Sequence, residues 1–226
     1  MIRDNLFKIK SRISSACSRS NRDPGSIAII AVSKNRSLEE IREVIACGLT
    51  DIGENRVQEA LKKYNELNAS VAKWHLVGHL QTNKVRPAVR LFDLIQSVDS
   101  LRLAFEIDKE AGKINKVQDI LMEIKISPET TKCGFSPAEA IEAAKEISGL
   151  KNVSLKGLMT IAPVVDVPEK ARPYFRQLRG LLDSANELRV ASQELQILSM
   201  GMSDDFEGAV EEGSNMVRIG KLIFGG

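Results

Sequence analysis

Eight times along this chain, a short apolar run rich in β-branched residues gives way to polar residues, and after each run but the last to helical periodicity. The runs fall at 27–32, 50–55, 73–78, 91–98, 117–126, 153–160, 194–199 and 215–219. Alternation of this kind specifies a parallel sheet whose strands are joined by helical crossovers. Eight such units in 226 residues point to a (β/α)8 TIM-type barrel. The eighth run has little chain after it. An amphipathic first helix, with Ile2, Leu6, Ile9, Ile13 and Cys17 on one face, is therefore expected to take the closing place against the barrel. A doubly wound open sheet is the alternative, but it needs a reversal of strand order and does not explain the even fit of eight units. No Gly-, Pro- or Ser-rich linker and no repeat divides the chain, so residues 1–226 are read as a single barrel domain.

Local signals set the helix ends. Ser37 and Glu40 have capping-box spacing, as do Ser136 and Glu139, the latter with Pro137 at the first helical position. Asp99 is the expected N-cap of the helix through Ala111. A long helix is expected over 168–191 and a short one over 204–212. The fifth run ends before Ser127-Pro128, and Thr130, Thr131 and Lys132 lie in the loop that follows.

Charge and cysteine content exclude several functions. With 32 basic and 30 acidic residues, the net charge of +2 gives no argument for a nucleic-acid or membrane partner. No apolar run approaches the ~18–20 residues of a membrane span. The amino terminus lacks a secretory h-region with a cleavage site. Cys17, Cys47 and Cys133 are odd in number and lack metal-ligand spacing, so they read as reduced thiols in the cytoplasm, with no metal site.

The carboxyl ends of the runs carry Lys34, Asn55, His79, Ser97, Thr160, Ser199 and Arg218. Ligands bind at strand carboxyl ends in parallel α/β folds, so these residues would share one mouth. A lysine there can lose its proton and attack a carbonyl, although one that merely snorkels to solvent leaves the same trace. Asn55 could equally cap a helix, His79 be a satisfied structural histidine, and Ser199 occupy a turn. Gly201 and Gly220 follow the last two strands and would let backbone approach a ligand closely. Ser203, at a helix start, adds a hydroxyl to an anion site; such phosphate sites after strands seven and eight recur in this fold. The competing reading is that Ser203 only caps the helix. Asp204 and Asp205 would repel phosphate unless they point outward.

Several segments are specific beyond their chemistry. They are Ala31-Val32-Ser33-Lys34, Gly53-Glu54-Asn55-Arg56-Val57-Gln58-Glu59, and the run from Trp74 to Lys84 containing Val77-Gly78-His79-Leu80-Gln81. To these are added Gly157-Leu158-Met159-Thr160, Leu198-Ser199-Met200-Gly201-Met202-Ser203-Asp204-Asp205-Phe206 and Val217-Arg218-Ile219-Gly220. Together they resemble, in order and over nearly the whole chain, the YggS/PROSC family of pyridoxal phosphate homeostasis proteins. Asn35-Arg36-Ser37 departs from that pattern in lacking a proline soon after the lysine, and the segment from Glu123 to Ser127 lacks the usual asparagine. The resemblance implies a barrel like the N-terminal domain of alanine racemase, binding pyridoxal 5′-phosphate (PLP) as a Schiff base on Lys34. Arg218 would face the pyridine nitrogen, Ser203 and Gly220 with Ser199 and Lys221 would hold the phosphate, and Asn55 would lie beside the ring. The function implied is buffering or delivery of the cofactor, with apo PLP-dependent enzymes as recipients, by a monomer or at most a weak dimer, without turnover. A racemase-like enzyme using His79 as a second base, and an enzyme of phosphorylated sugars using Lys34 on another carbonyl, are the alternatives.

Overall fold

The computed structural model describes residues 1–67, 71–126 and 133–225. The loop residues Ser127, Pro128, Thr130, Thr131 and Lys132 singled out above lie outside them. Eight parallel strands close into a barrel in sequence order. They are β1 (Ala28–Val32), β2 (Asp51–Glu54), β3 (Lys73–Leu76), β4 (Leu94–Val98), β5 (Gln118–Glu123), β6 (Val153–Met159), β7 (Ile197–Met202) and β8 (Met216–Ile219). Closure is made by β1 on β8, with Ala28 opposite Met216 and Ala31 opposite Ile219. The helices are α1 (Ile2–Arg19), α2 (Leu38–Ala46), α3 (Val57–Glu66), α4 (Val85–Leu91), α5 (Leu101–Gly112), α6 (Ala140–Ser148), α7 (Arg172–Glu187), α8 (Phe206–Glu211) and α9 (Lys221–Phe224).

Alternation along each strand divides the apolar residues between two cores. The larger lies between the sheet and the helices, and includes Ile29, Ala31, Ile52, Trp74, Leu76, Ile95 and Ile120. The smaller fills the barrel with Ile30, Val77, Leu94, Leu121, Met159 and Met216. Glycine sets the strand spacing at one place inside. A Cβ on Gly157 would lie 1.9 Å from the Ile197 carbonyl oxygen, so no larger residue lets β6 pair with β7 here.

The first helix closes the ring as its periodicity requires. α9 is one turn long, and α1 packs beside it and α8 through buried Ile2, Leu6, Ile9, Ile13, Ala16 and Cys17. Asn5 Nδ2 donates to the Ile223 carbonyl at 3.0 Å, and Arg12 pairs with Glu207 at 2.7 Å.

Several boundaries differ from the sequence reading; the short helix expected over 204–212 is α8, with Asp205 as its N-cap, so Ser203 lies in the turn before it. The N-cap of α5 is Ser100, whose hydroxyl accepts from the Leu103 amide at 3.3 Å; the Asp99 carboxylate is taken by Ser100 Oγ and His79 instead. Leu91 ends α4 rather than opening β4, because its side chain is buried on the helix-packing face. β7 runs to Met202, beyond the expected end at Ser199, because its register with β8 shifts between those residues and Gly201 takes φ +92°. The expected helix over 168–191 splits into a single 3-10 turn at Pro168–Ala171 followed by α7. The capping box expected at Ser136 and Glu139, with Pro137 at the first helical position, does not form: the α-helix starts at Ala140 with Glu139 as its N-cap and no side-chain cap, and Ser136 Oγ donates to the Glu139 carboxylate at 2.9 Å instead.

If α1 is a structural member of the barrel, truncating its centre destabilises the whole. Ile9 is 2 % exposed, and Ile9→Ala is expected to lower the unfolding free energy by about 2–5 kcal/mol. Urea denaturation followed by far-UV circular dichroism should show one displaced cooperative transition. An unchanged midpoint would mean that α1 is an appendage.

Candidate functional site

The loop after β1 places Lys34 at the carboxyl mouth, and a buried ion cluster fixes it there. Lys63, on α3, extends its ammonium under the loop and donates to the Ser33 carbonyl at 2.6 Å. The same ammonium meets Glu54 Oε1 at 2.7 Å and Glu59 Oε1 at 3.1 Å. Ser33 Oγ donates to Glu54 Oε1 at 2.5 Å, and the Asn35 amide donates to Glu59 Oε1 at 2.8 Å. Asn35 takes φ +59°, a left-handed conformation that asparagine tolerates better than most residues. The residues on both sides of Lys34 are thus tied down, while Lys34 itself is exposed. Glu54 is fully buried, and that burial raises its carboxyl above the usual range despite the Lys63 and Ser33 hydrogen bonds.

Lys34 borders a cavity of about 420 Å³. Its walls include apolar Val32, Val77, Ile161 and Met202, and polar Asn55, Ser203 and Gly220. Among the described residues, four cationic side chains, Lys34, Arg36, Arg218 and Lys221, line it with one carboxylate, Asp204. Asp205 turns away to accept from the Met202 amide at 2.6 Å, and its burial raises its carboxyl. The expected repulsion of an anion is therefore reduced to Asp204.

Arg218 is 4 % exposed and is held by a hydrogen-bond chain through the barrel. Its Nη1 donates to Ser199 Oγ at 2.6 Å and its Nη2 to the Thr160 carbonyl at 2.8 Å. Ser199 donates to Gln96 Oε1 at 2.7 Å. The Gln96 amide nitrogen then faces His75 Nδ1 at 3.2 Å, which leaves the ring hydrogen on Nε2, toward Asp51 at 2.9 Å. Burial pulls the guanidinium down to about 10, against the attraction of Glu123 and Asp205, so it keeps its charge at neutral pH.

The structure thus brings together Lys34, Asn55, Ser203, Arg218, Gly220 and Lys221 of the expected residues. It does not bring Ser199 to the cavity wall: that hydroxyl is buried and spent on Gln96 and Arg218. Ser97 donates to the Gly78 carbonyl and Thr160 to that of Ile124, so both serve the scaffold. His79 lies outside this lining and meets Asp99 at 3.0 Å. The two glycines also have another explanation. A Cβ on Gly201 would lie 2.6 Å from Ala209 Cβ, and one on Gly220 would lie 3.0 Å from the Val32 carbonyl oxygen, so neighbouring protein excludes a side chain at the first and crowds one at the second. Arg36 was missed, although it lies two residues from Lys34; it donates to the Gly225 carbonyl at 2.6 Å. The inward polar residues Asp51, His75 and Gln96 were also missed. Their signal was polar side chains at strand positions that otherwise face an apolar barrel.

These features define a barrel protein with an amine and a basic pocket at its carboxyl mouth. The family model for the alanine racemase N-terminal domain matches residues 5–226, and the chain belongs to the pyridoxal phosphate homeostasis proteins within that fold. It is 47 % identical over 223 residues to the pyridoxal phosphate homeostasis protein of Aquifex aeolicus, covering 98 % of this chain and 96 % of that one. It is 36 % identical over 230 residues to the protein of that name from Escherichia coli K12, covering 99 % and 96 %. PipY of Synechococcus elongatus, in a structure with PLP bound, superposes with a TM-score of 0.88 at 36 % identity over the whole of both chains. Alanine racemase of Clostridium difficile shares the fold, with a TM-score of 0.78 at 18 % identity, over 100 % of this chain and 56 % of that one.

The ion cluster under Lys34 is open to a direct test. Lys63→Ala leaves buried Glu54 without its cation and is expected to cost about 3–5 kcal/mol. The added substitution Glu54→Gln should recover much of that loss. In the single variant the folded state holds the Glu54 proton to higher pH than the unfolded chain does, so stability falls as pH rises through that window. Urea titrations between mildly acidic and neutral pH read both effects. Equal stability of single variant and wild type would remove the cluster from the account.

Proposed function

We propose that this protein holds pyridoxal 5′-phosphate at the barrel mouth and releases it to apo PLP-dependent enzymes in the cytoplasm, without turning over amino acids. The observation that carries this reading is the exposed Lys34 amine beside a cavity whose floor is a buried, charged arginine. The names of the relatives and the PLP-bound PipY structure support it.

The residues present fit the cofactor. A cavity of about 420 Å³ is in the range for a small ligand. When bound, PLP supplies an aldehyde for reversible capture by an amine and an electron-withdrawing ring. Lys34 Nζ is the group that attaches to that carbonyl. Arg218 spends one N–H on Ser199 and one on Thr160, leaving others to donate to the ring nitrogen. Ser203, the Gly220 backbone and Lys221 form the phosphate end, and Asn55 with Val77 and Ile161 lines the ring. The described chain is read as one cofactor-holding unit.

The same residues argue against turnover. An arginine donor at the ring nitrogen keeps that nitrogen unprotonated and weakens the ring as an electron sink. Racemisation needs a base on each face, within hydrogen-bond reach. Among the described residues, the cavity lining contains no tyrosine or histidine. Tyr64 packs edge-on against Trp74 on α3, and Tyr174 lies on α7.

The test has two arms. Loaded protein, mixed in stoichiometric amount with a PLP-stripped aminotransferase, should restore its activity, and the Lys34→Ala protein treated identically should restore much less. In deuterated water, α-hydrogen exchange of L-alanine should stay at the rate given by free PLP. Exchange in the ordinary enzyme range of ~1–10³ per second, abolished in His79→Ala, would replace this reading with an enzyme.

A further inference from the structure

We propose that His79, Asp99 and Cys133 form a site for one divalent cation of the zinc class, at the barrel mouth and beside the cofactor cavity. The three residues are far apart in sequence and come from consecutive strand ends: after β3, after β4, and between β5 and α6. His79 Nδ1 lies 3.0 Å from Asp99 Oδ2. One donor atom from each residue can be chosen so that all lie within 4.8 Å of one another. Tetrahedral zinc, with ligand bonds of ~2.0–2.3 Å, holds its donors roughly 3.3–3.8 Å apart. Side-chain rotation of about an ångström closes that gap.

The donor set is selective. Imidazole, carboxylate and thiolate are the three ligand types that zinc uses, and three of them with one open position make an open rather than a closed site. Magnesium and calcium take oxygen donors and would not be drawn to the thiol. Asp99 already has the outer support such a ligand needs, because its other oxygen accepts from Ser100 Oγ at 3.0 Å. His79 and Cys133 are exposed, so an ion can enter. Glu123 and Lys125, one of each charge, share a small adjoining cavity with His79 and Cys133. That cavity shares Asn55, Val77 and Ile161 with the cofactor cavity.

Loading balances simply. The Cys133 Sγ–H bond breaks, its proton passes to solvent, and the thiolate donates a pair to the ion. His79 presents one ring nitrogen to the ion with the ring hydrogen on the other, and Asp99 Oδ2 turns from hydrogen-bond acceptor to ligand.

The experiment uses PLP-loaded protein freed of metal by dialysis against a chelator. Zn²⁺ titrated in competition with a chromophoric chelator should bind at one equivalent per chain. Co²⁺ in its place should give the intense red-region d–d bands of a tetrahedral site and a thiolate-to-cobalt charge-transfer band. Cys133→Ser should abolish the charge-transfer band. Cys133→Ser and His79→Gln should each weaken Zn²⁺ by at least the ~10–100-fold that losing an outer-shell partner costs. Retained PLP absorbance in both variants reports an intact fold, and either variant alone suffices for the comparison. A six-coordinate Co²⁺ spectrum, no stoichiometric Zn²⁺ binding, or Zn²⁺ binding unchanged by both substitutions would overturn the proposal and leave the cofactor reading untouched.

Discussion

A single buried ammonium, that of Lys63, organises the mouth of this barrel. It is nearly removed from water, so it must be paid for by partners, and it takes three: the Ser33 carbonyl, Glu54 and Glu59. Two of those partners also hold the residues that flank Lys34, since Glu54 accepts from Ser33 Oγ and Glu59 from the Asn35 amide. The cost of burying charge is thereby converted into a fixed direction for Lys34. An exposed lysine on an unconstrained loop would sweep a wide volume; here the loop is held from beneath and only the side chain remains free.

The opposite side of the cavity is fixed by a different device. Arg218 is held by a line of neutral and charged groups that crosses the barrel from Asp51 through His75, Gln96 and Ser199. Each member of that line hydrogen-bonds to the next, and Arg218 keeps further N–H groups for the cavity. The result is a guanidinium that cannot swing away from the cavity. Lys34 follows β1 and Arg218 lies on β8, and the two strands are neighbours because β1 closes the barrel against β8. Closure of the sheet is what brings the two ends of the chain into one site.

Much of this could be read from the sequence. The eight alternations pointed to the barrel; Lys34, Asn55 and Arg218 were placed at the mouth by their position at strand ends, Ser203 by the helix start expected after it, and Lys221 by the family resemblance alone. What failed did so for identifiable reasons. Ser199 sits at a strand end, but the β7 irregularity and Gly201 carry the strand on to Met202, leaving Ser199 one layer below the mouth. Gly201 is a glycine because of Phe206 and Ala209, and Val32 crowds Gly220, neighbours that only the closed fold supplies. The Glu54–Lys63–Glu59 cluster was invisible for the opposite reason: charged residues on a strand end and a helix read as solvent-facing until the fold buries them. The His79, Asp99 and Cys133 group likewise has no spacing signature, since three separate strands bring it together.

The central claim is that Lys34 is the attachment point and that the clamped loop puts it there. Borohydride reduction of the PLP-loaded protein, followed by proteolysis and mass mapping of the pyridoxylated peptide, tests it most directly. The account requires the label to fall stoichiometrically on the peptide containing Lys34. Label found instead on Lys221, or scattered over surface lysines, would contradict it.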